Sequence, residues 1–207
     1  MERGYGNSTN LVIALPAEAR PLIDMLNLKR DQRNRAMPLY SADAVRLVIT
    51  GPGATAAAQG VRYVHDVRPH SHAHWINIGI CGHGTLAVGT PILVDRIVDV
   101  QGGGEWSLPL THPLFNCVGP LACVPQPQAE YEAEMAYDME SCGFIEAVTA
   151  INSLTSATVM KIVSDNPDND VQQISGKYVR RLVQQHLGLI RSLIDSPQSN
   201  DSYPVPQ

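Results

Sequence analysis

Short apolar runs that end in glycine or proline turns constrain this chain more than any other feature. LVIALP (11–16) stops at a proline, VRLVIT (45–50) runs into GPG, and WINIGICG (75–82) ends in glycines. Runs of this length are too short for a buried helix and too apolar for a half-exposed strand, so they read as strands covered on both faces. AEARPLIDML follows the first run and ATAAAQGVRYVHDV the second, both with helical spacing of small and apolar residues. TPILVDRIVDV (90–100) and ATVMKIVSD (157–165) add β-branched strands, and PLACV suggests one more. A helix is expected over about 138–151, and VQQISGKYVRRLVQQHLGLIRSLIDS reads as one long amphipathic helix. Strands that alternate with helices predict an α/β fold: a three-layer α/β/α arrangement with a central mixed, largely parallel sheet.

At 207 residues, 44% hydrophobic and 17% charged, the chain can bury one sizeable core. A single domain over 11–195 is expected, between a disordered N-terminus (1–10) and a disordered tail (196–207). The net charge of −5 and the lack of a basic run argue against nucleic acid as a partner. The N-terminal MERGYGNSTN has no apolar signal core, and no run reaches the length of a membrane span. The expectation is a cytoplasmic protein that does not engage a membrane. Cys81, Cys117, Cys123 and Cys142 show no CxxC spacing and are expected to be free thiols. His70, His72 and His74 alternate in RPHSHAHW without accompanying cysteines or acids, so no metal site is expected.

AYDMESCGFIEAV (136–148) places Asp138 and Glu140 at the start of the expected helix. Acids in a first helical turn are favourable there by about 0.3–1 kcal/mol each, which alone would account for them. In a parallel sheet, however, ligands collect at the carboxyl ends of the strands. Glu18, the GICGHG loop and Ser164-Asp165 all fall at such ends.

LVIALPAEA, ITGPGATAAA, INIGICGHGTLAVGTPILVDRIVD, YDMES and MKIVSDNPD, in that order, resemble the nucleoside phosphorylase and nucleosidase superfamily. The motifs are most similar to its methylthioadenosine/adenosylhomocysteine nucleosidase-type members. The resemblance implies a phosphorylase/hydrolase-like fold, a small-molecule nucleoside substrate, cleavage of the N-glycosidic bond without a cofactor, and a homodimer or higher homo-oligomer. It also implies that Glu140 binds the ribose hydroxyls while Met139 packs on the sugar, with Asp138 facing away. Asp165 corresponds to the general acid that protonates the leaving base, flanked by Ser164 and Asp168. Glu18 corresponds to the carboxylate that activates water, although a plain first-turn acid is the competing reading. Ile80, Cys81 and Gly82 of NIGICG would line the substrate site.

Phosphorolytic members hold phosphate with an arginine and a serine where this chain has Asn77 and Ile80. That loss favours hydrolysis, unless Arg20, Arg46 or an arginine of a neighbouring subunit compensates. A phosphorylase and a nucleoside-binding protein without turnover remain the alternatives. The interval between NIGICG and DMES is short for an adenosine-type nucleosidase, so residues 101–121 would read the base in reduced form or not at all, with Trp106 and Phe115 as stacking platforms or loop anchors.

Overall fold

Consecutive residues of the apolar runs bury themselves against opposite layers. Leu11 and Ile13 join one core cluster and Val12 the other; Leu47 and Val48, and Met160 and Val159, divide in the same way. A two-residue side-chain period with both faces covered explains why these runs are continuously apolar. The computed structural model describes residues 8–33, 36–67, 73–109, 112–128, 130–132, 134–151, 157–169 and 174–196.

In chain order the strands are β1 (Ser8–Ile13), β2 (Lys29–Arg30), β3 (Leu39–Ala42), β4 (Val45–Ile49), β5 (Ala73–His83), β6 (Pro91–Asp99), β7 (Glu105–Ser107), β8 (Val118–Cys123), β9 (Ala136–Asp138) and β10 (Ala157–Asp165). The helices are α1 (Pro16–Met25), α2 (Ala54–Val67), α3 (Ser141–Ile151), α4 (Gly176–Gln185) and α5 (Leu187–Asp195). The strands form one mixed sheet in the order β10-β6-β8-β9-β5-β1-β4-β3-β2, with β7 beside β6. β5 lies parallel to both β1 and β10, and β1 is parallel to β4. Because β10 pairs with β5 as well as β6, the strands β5, β9, β8, β6 and β10 close into a ring. α2 and α3 pack together on one face, with Val61, Val64, Phe144 and Val148 in the core there. α1, α4 and α5 cover the other face through Leu22, Leu182, Val183 and Ile190. The result is the expected α/β/α layering.

Three differences from the sequence reading have local causes. β1 begins at Ser8, ahead of the boundary drawn at residue 11, because Ser8 and Thr9 pair with Ala73 and His74 of β5. Residues 136–138 are the short strand β9 and not the start of a helix; they fill the gap between β5 and β8. The long C-terminal helix is two, broken at His186, whose ring Nε2 lies 2.7 Å from the carbonyl oxygen of Gly89.

Two of the four cysteines are not free. Cys123 and Cys142 form a disulfide, with their Cα atoms 5.8 Å apart. The parallel pairing of β8 with β9 sets Cys123 opposite Asp138, and α3 then turns Cys142 back onto it, a proximity that sequence spacing does not reveal. Cys81 and Cys117 are free thiols. No helix among the described residues is long and apolar enough to cross a membrane. His74 is buried with its Nε2 2.8 Å from Thr158 Oγ1, and burial lowers its pKa to about 4. His70 and His72, and the tail beyond residue 196, lie outside the described residues.

Candidate active site

A cavity of about 220 Å³ opens where β1, β5, β9 and β10 end, and Glu18, Ile80, Cys81, Gly82, Met139, Glu140, Ser164 and Asp165 all line it. A wider groove of about 810 Å³, bordered by Val88, Phe115 and His186, has no carboxylate in its lining. The chemistry therefore converges on the smaller cavity.

Glu18 arrives there because Pro16 opens α1 directly after β1, a favourable place for proline in the first turn. The side chain is 2% exposed. Its Oε2 accepts from the N–H of Leu15 at 2.8 Å and its Oε1 from the N–H of Ile80 at 2.9 Å. It is thus both the first-turn acid and a cavity carboxylate, and the two readings of the sequence are compatible. Burial pushes its carboxyl up to about 7, against the lowering effect of the two N–H groups and the Lys161 ammonium. Gly79 permits this arrangement: a methyl group there would sit 3.1 Å from Glu18 Oε1.

Glu140 lines the same cavity. Its Oε1 accepts from the N–H of Gly53 at 2.8 Å. Gly53 has φ of +98°, a left-handed conformation open to glycine at little cost, so the GPG turn is built to aim that N–H at the carboxylate. Burial, then the neighbouring Asp138 charge, raises the Glu140 pKa; Lys161 and the N–H groups of Gly53 and Met139 partly counter this.

Asp165 ends β10 after a register shift between Val163 and Asp165 opposite Cys81 and Gly82. Such a bulge re-aims the side chain. Its Oδ1 accepts from Ser164 Oγ at 2.5 Å, and its Oδ2 accepts from the Tyr131 hydroxyl. Asp165 does not cap α4, which starts at Gly176 with Ser175 as its cap. Asp168, expected beside the acid, is instead exposed in the following turn, where its N–H donates to Asn166 Oδ1 at 3.1 Å.

Asp138, expected to face away, is 6% exposed and lines the cavity. It accepts from the Ser141 N–H at the start of α3 and forms an ion pair of 2.7 Å with Lys161. Lys161, beside the site, is a charged residue that the sequence reading missed. It is 1% exposed and also donates to Asn77 Oδ1 at 2.6 Å. Burial disfavours its ammonium, but the carboxylates of Asp138, Glu140 and Glu18 outweigh that and hold its pKa above the ordinary value. A lysine in the apolar run ATVMKIV was the available signal, since an unpaired buried ammonium is too costly to persist.

Asn77 does not line the cavity; its Nδ2 donates to the Val12 carbonyl at 2.9 Å while its Oδ1 receives Lys161. Neither Trp106 nor Phe115 reaches the cavity. Trp106, in β7, pairs with Ile97 of β6, and Phe115 is packed in the other groove, edge-on to His112. No described residue of 101–121 lines the site; Val124, Pro127, Gln128 and Tyr131 form the rim instead. Arg20 is exposed and paired with Asp24, and Arg46 donates to Asn10 Oδ1 at the far end of β1, so neither turns toward the cavity. The buried Cys81 thiol is pushed up by burial and stays protonated.

The mixed α/β/α sheet is the fold of solved nucleosidase structures. Among similar structures, the apo 5′-methylthioadenosine nucleosidase of Arabidopsis thaliana superposes with a TM-score of 0.76 at 18% identity, covering 92% of this chain and 97% of that one. The Helicobacter pylori 5′-methylthioadenosine/S-adenosylhomocysteine nucleosidase with butyl-thio-DADMe-Immucillin-A gives 0.76 at 10% identity, over 92% and 99%. The Streptococcal (S. pneumoniae) nucleosidase with the transition-state inhibitor MT-ImmA gives 0.67 at 16%, over 86% and 96%. At these identities the likeness establishes the fold. No protein-family model matches the sequence, and no curated protein matches it.

Proposed function

We propose that the protein is a nucleosidase that hydrolyses the N-glycosidic bond of a purine-type nucleoside to free base and ribose. The observation that carries this reading is the gathering of Glu18, Glu140 and Asp165 around one cavity, each held by a different set of hydrogen bonds. Glu18, with a pKa near 7, takes a proton from water as the water oxygen attacks the anomeric carbon. The bond to the base breaks with its electron pair moving to the base, and Asp165 supplies a proton to a ring nitrogen. Glu140 accepts the ribose hydroxyls, and its charge favours the oxocarbenium-like sugar. Met139 packs against the sugar.

The site's electrostatics favour water over phosphate. Among the described lining residues there is no arginine, lysine or histidine, and the nearby Lys161 is committed to Asp138 and Asn77. A phosphate dianion would lose hydration without gaining charge-assisted hydrogen bonds. The fold neighbours include nucleosidases named for 5′-methylthioadenosine, which makes a 5′-thio-substituted adenosine the first substrate to test.

The test is a panel of purine nucleosides, with free base measured by chromatography in the presence and absence of phosphate. Base release with free ribose product and no phosphate dependence is expected. A rate that rises saturably with phosphate makes the protein a phosphorylase, and tight binding without base release makes it a binding protein.

A further inference from the structure

Tyr131 stands at the rim of the site, outside every motif that carries the family resemblance. Its hydroxyl donates to Asp165 Oδ2, and the Gln128 carbonyl oxygen lies 2.8 Å away as a second acceptor. Ser164 repeats the pattern: its hydroxyl reaches Asp165 Oδ1 at 2.5 Å and the Cys81 carbonyl oxygen at 3.1 Å. Each hydroxyl carries one proton and faces two acceptors, one on Asp165 and one on the backbone. The placement of Tyr131 is supported on two sides. A methyl group at residue 82 would lie 2.5 Å from the Tyr131 hydroxyl oxygen, so glycine there makes room for the ring. The Tyr137 ring sits 5.2 Å away, and its hydroxyl accepts from the Glu132 N–H at 3.1 Å, anchoring the residue that follows Tyr131.

We infer that Tyr131 is a positioning residue for Asp165, its hydroxyl turning from the Gln128 carbonyl to the Asp165 carboxylate as Asp165 gives up its proton. When Asp165 is protonated, the Tyr131 and Ser164 hydroxyls satisfy the carbonyls of Gln128 and Cys81. When the proton passes to the leaving base, both hydroxyls turn onto the carboxylate, which gains two donors as its charge appears. A contact that strengthens only as charge develops lowers the barrier without tightening the ground state. The inference rests on the reading of Asp165 as the general acid.

Tyr131→Phe keeps the ring against Gly82 and Tyr137 and removes only the hydroxyl. On a purine ribonucleoside, kcat is expected to fall about 10- to 100-fold, the range of one hydrogen bond to a charged group, with KM changed less than about threefold. On p-nitrophenyl riboside, whose phenolate leaves without a proton, Tyr131→Phe is expected to match the wild type. Equal losses on both substrates would mean that Tyr131 only shapes the pocket and would overturn the inference. An arm independent of turnover reads the carbon-13 chemical shift of the Asp165 carboxyl at one fixed pH, with the signal identified by its loss in Asp165→Asn. The signal is expected to move in Tyr131→Phe, because the hydroxyl that donates to Oδ2 is gone. An unchanged shift would overturn the coupling. If no nucleoside releases base, the functional reading fails, yet the NMR arm still decides whether Tyr131 governs Asp165.

Discussion

Glu18 links stability to activity in opposite directions over one pH window. Its carboxyl has a folded-state pKa of about 7 against an ordinary 4.5. Below pH 4.5 the group is protonated whether the chain is folded or not, and above pH 7 it is ionised in both states. Between them the unfolded chain loses its proton first, so the native state binds more protons and the unfolding free energy falls as pH rises. The interval from 4.5 to about 7, at about 1.4 kcal/mol per pH unit, amounts to about 3–4 kcal/mol. Over the same window the base becomes ionised, so kcat/KM is expected to rise with a midpoint near 7. Glu18→Gln cannot titrate. It matches only one of the two N–H donors, from Leu15 and Ile80, but that offset is the same at every pH. Glu140, whose pKa is also raised, contributes to both proteins and cancels to first order in the difference between them. Denaturant unfolding of both proteins from pH 4.5 to 8, beside kcat/KM of the wild type, provides the assay. A stability difference that stays flat across the window, or an activity limb centred below pH 5, would refute the assignment of Glu18 as the base.

Lys161→Met leaves Asp138 buried without its partner and is expected to cost about 3–5 kcal/mol, read as a lower denaturant midpoint; adding Asp138→Asn should recover part of the loss. Gly143→Ala would set a methyl carbon 1.9 Å from the Ala54 carbonyl oxygen, forcing α3 off α2 at a cost of about 1–3 kcal/mol or more in thermal unfolding. Glu140→Gln should slow ribonucleosides far more than 2′-deoxy analogues, since the diol contact exists only in the former; equal slowing would take Glu140 off the sugar.

Elements whose identity depends on their own residues were legible in the sequence. α2 occupies Ala54–Val67, the stretch with helical spacing, because the GPG turn before it and its alternation of small and apolar residues are local signals. β1, β4, β5, β6 and β10 were each marked by an apolar run that both layers bury. β2, β3, β7 and β9 were not, because each is short and owes its strand conformation to a neighbour: β9 exists where Tyr137 and Ala136 meet Gly82 and His83. The helix break at His186 is likewise set from outside, by the Gly89 carbonyl beneath it, and the Cys123–Cys142 pairing by the meeting of β8 with α3.

The site divides along the same line. Glu18, Glu140 and Asp165 could be placed at strand ends because the order of strands and turns determines which ends those are, and all three line one cavity. The residues that surround them could not. Lys161 lies four residues before Asp165 on a strand whose every position is buried, and only the sheet brings Asn77 and Asp138 to its ammonium. Tyr131 lies in a stretch without a helical or strand pattern and meets Asp165 across a sequence separation of 34 residues. A carboxylate's position can follow from chain topology, but its proton affinity follows from burial and from charges brought in by other strands. That is why the acids in this cleft were visible as residues, while the burial of Glu18 and the two hydroxyls that hold Asp165 became visible only once the strands were assembled.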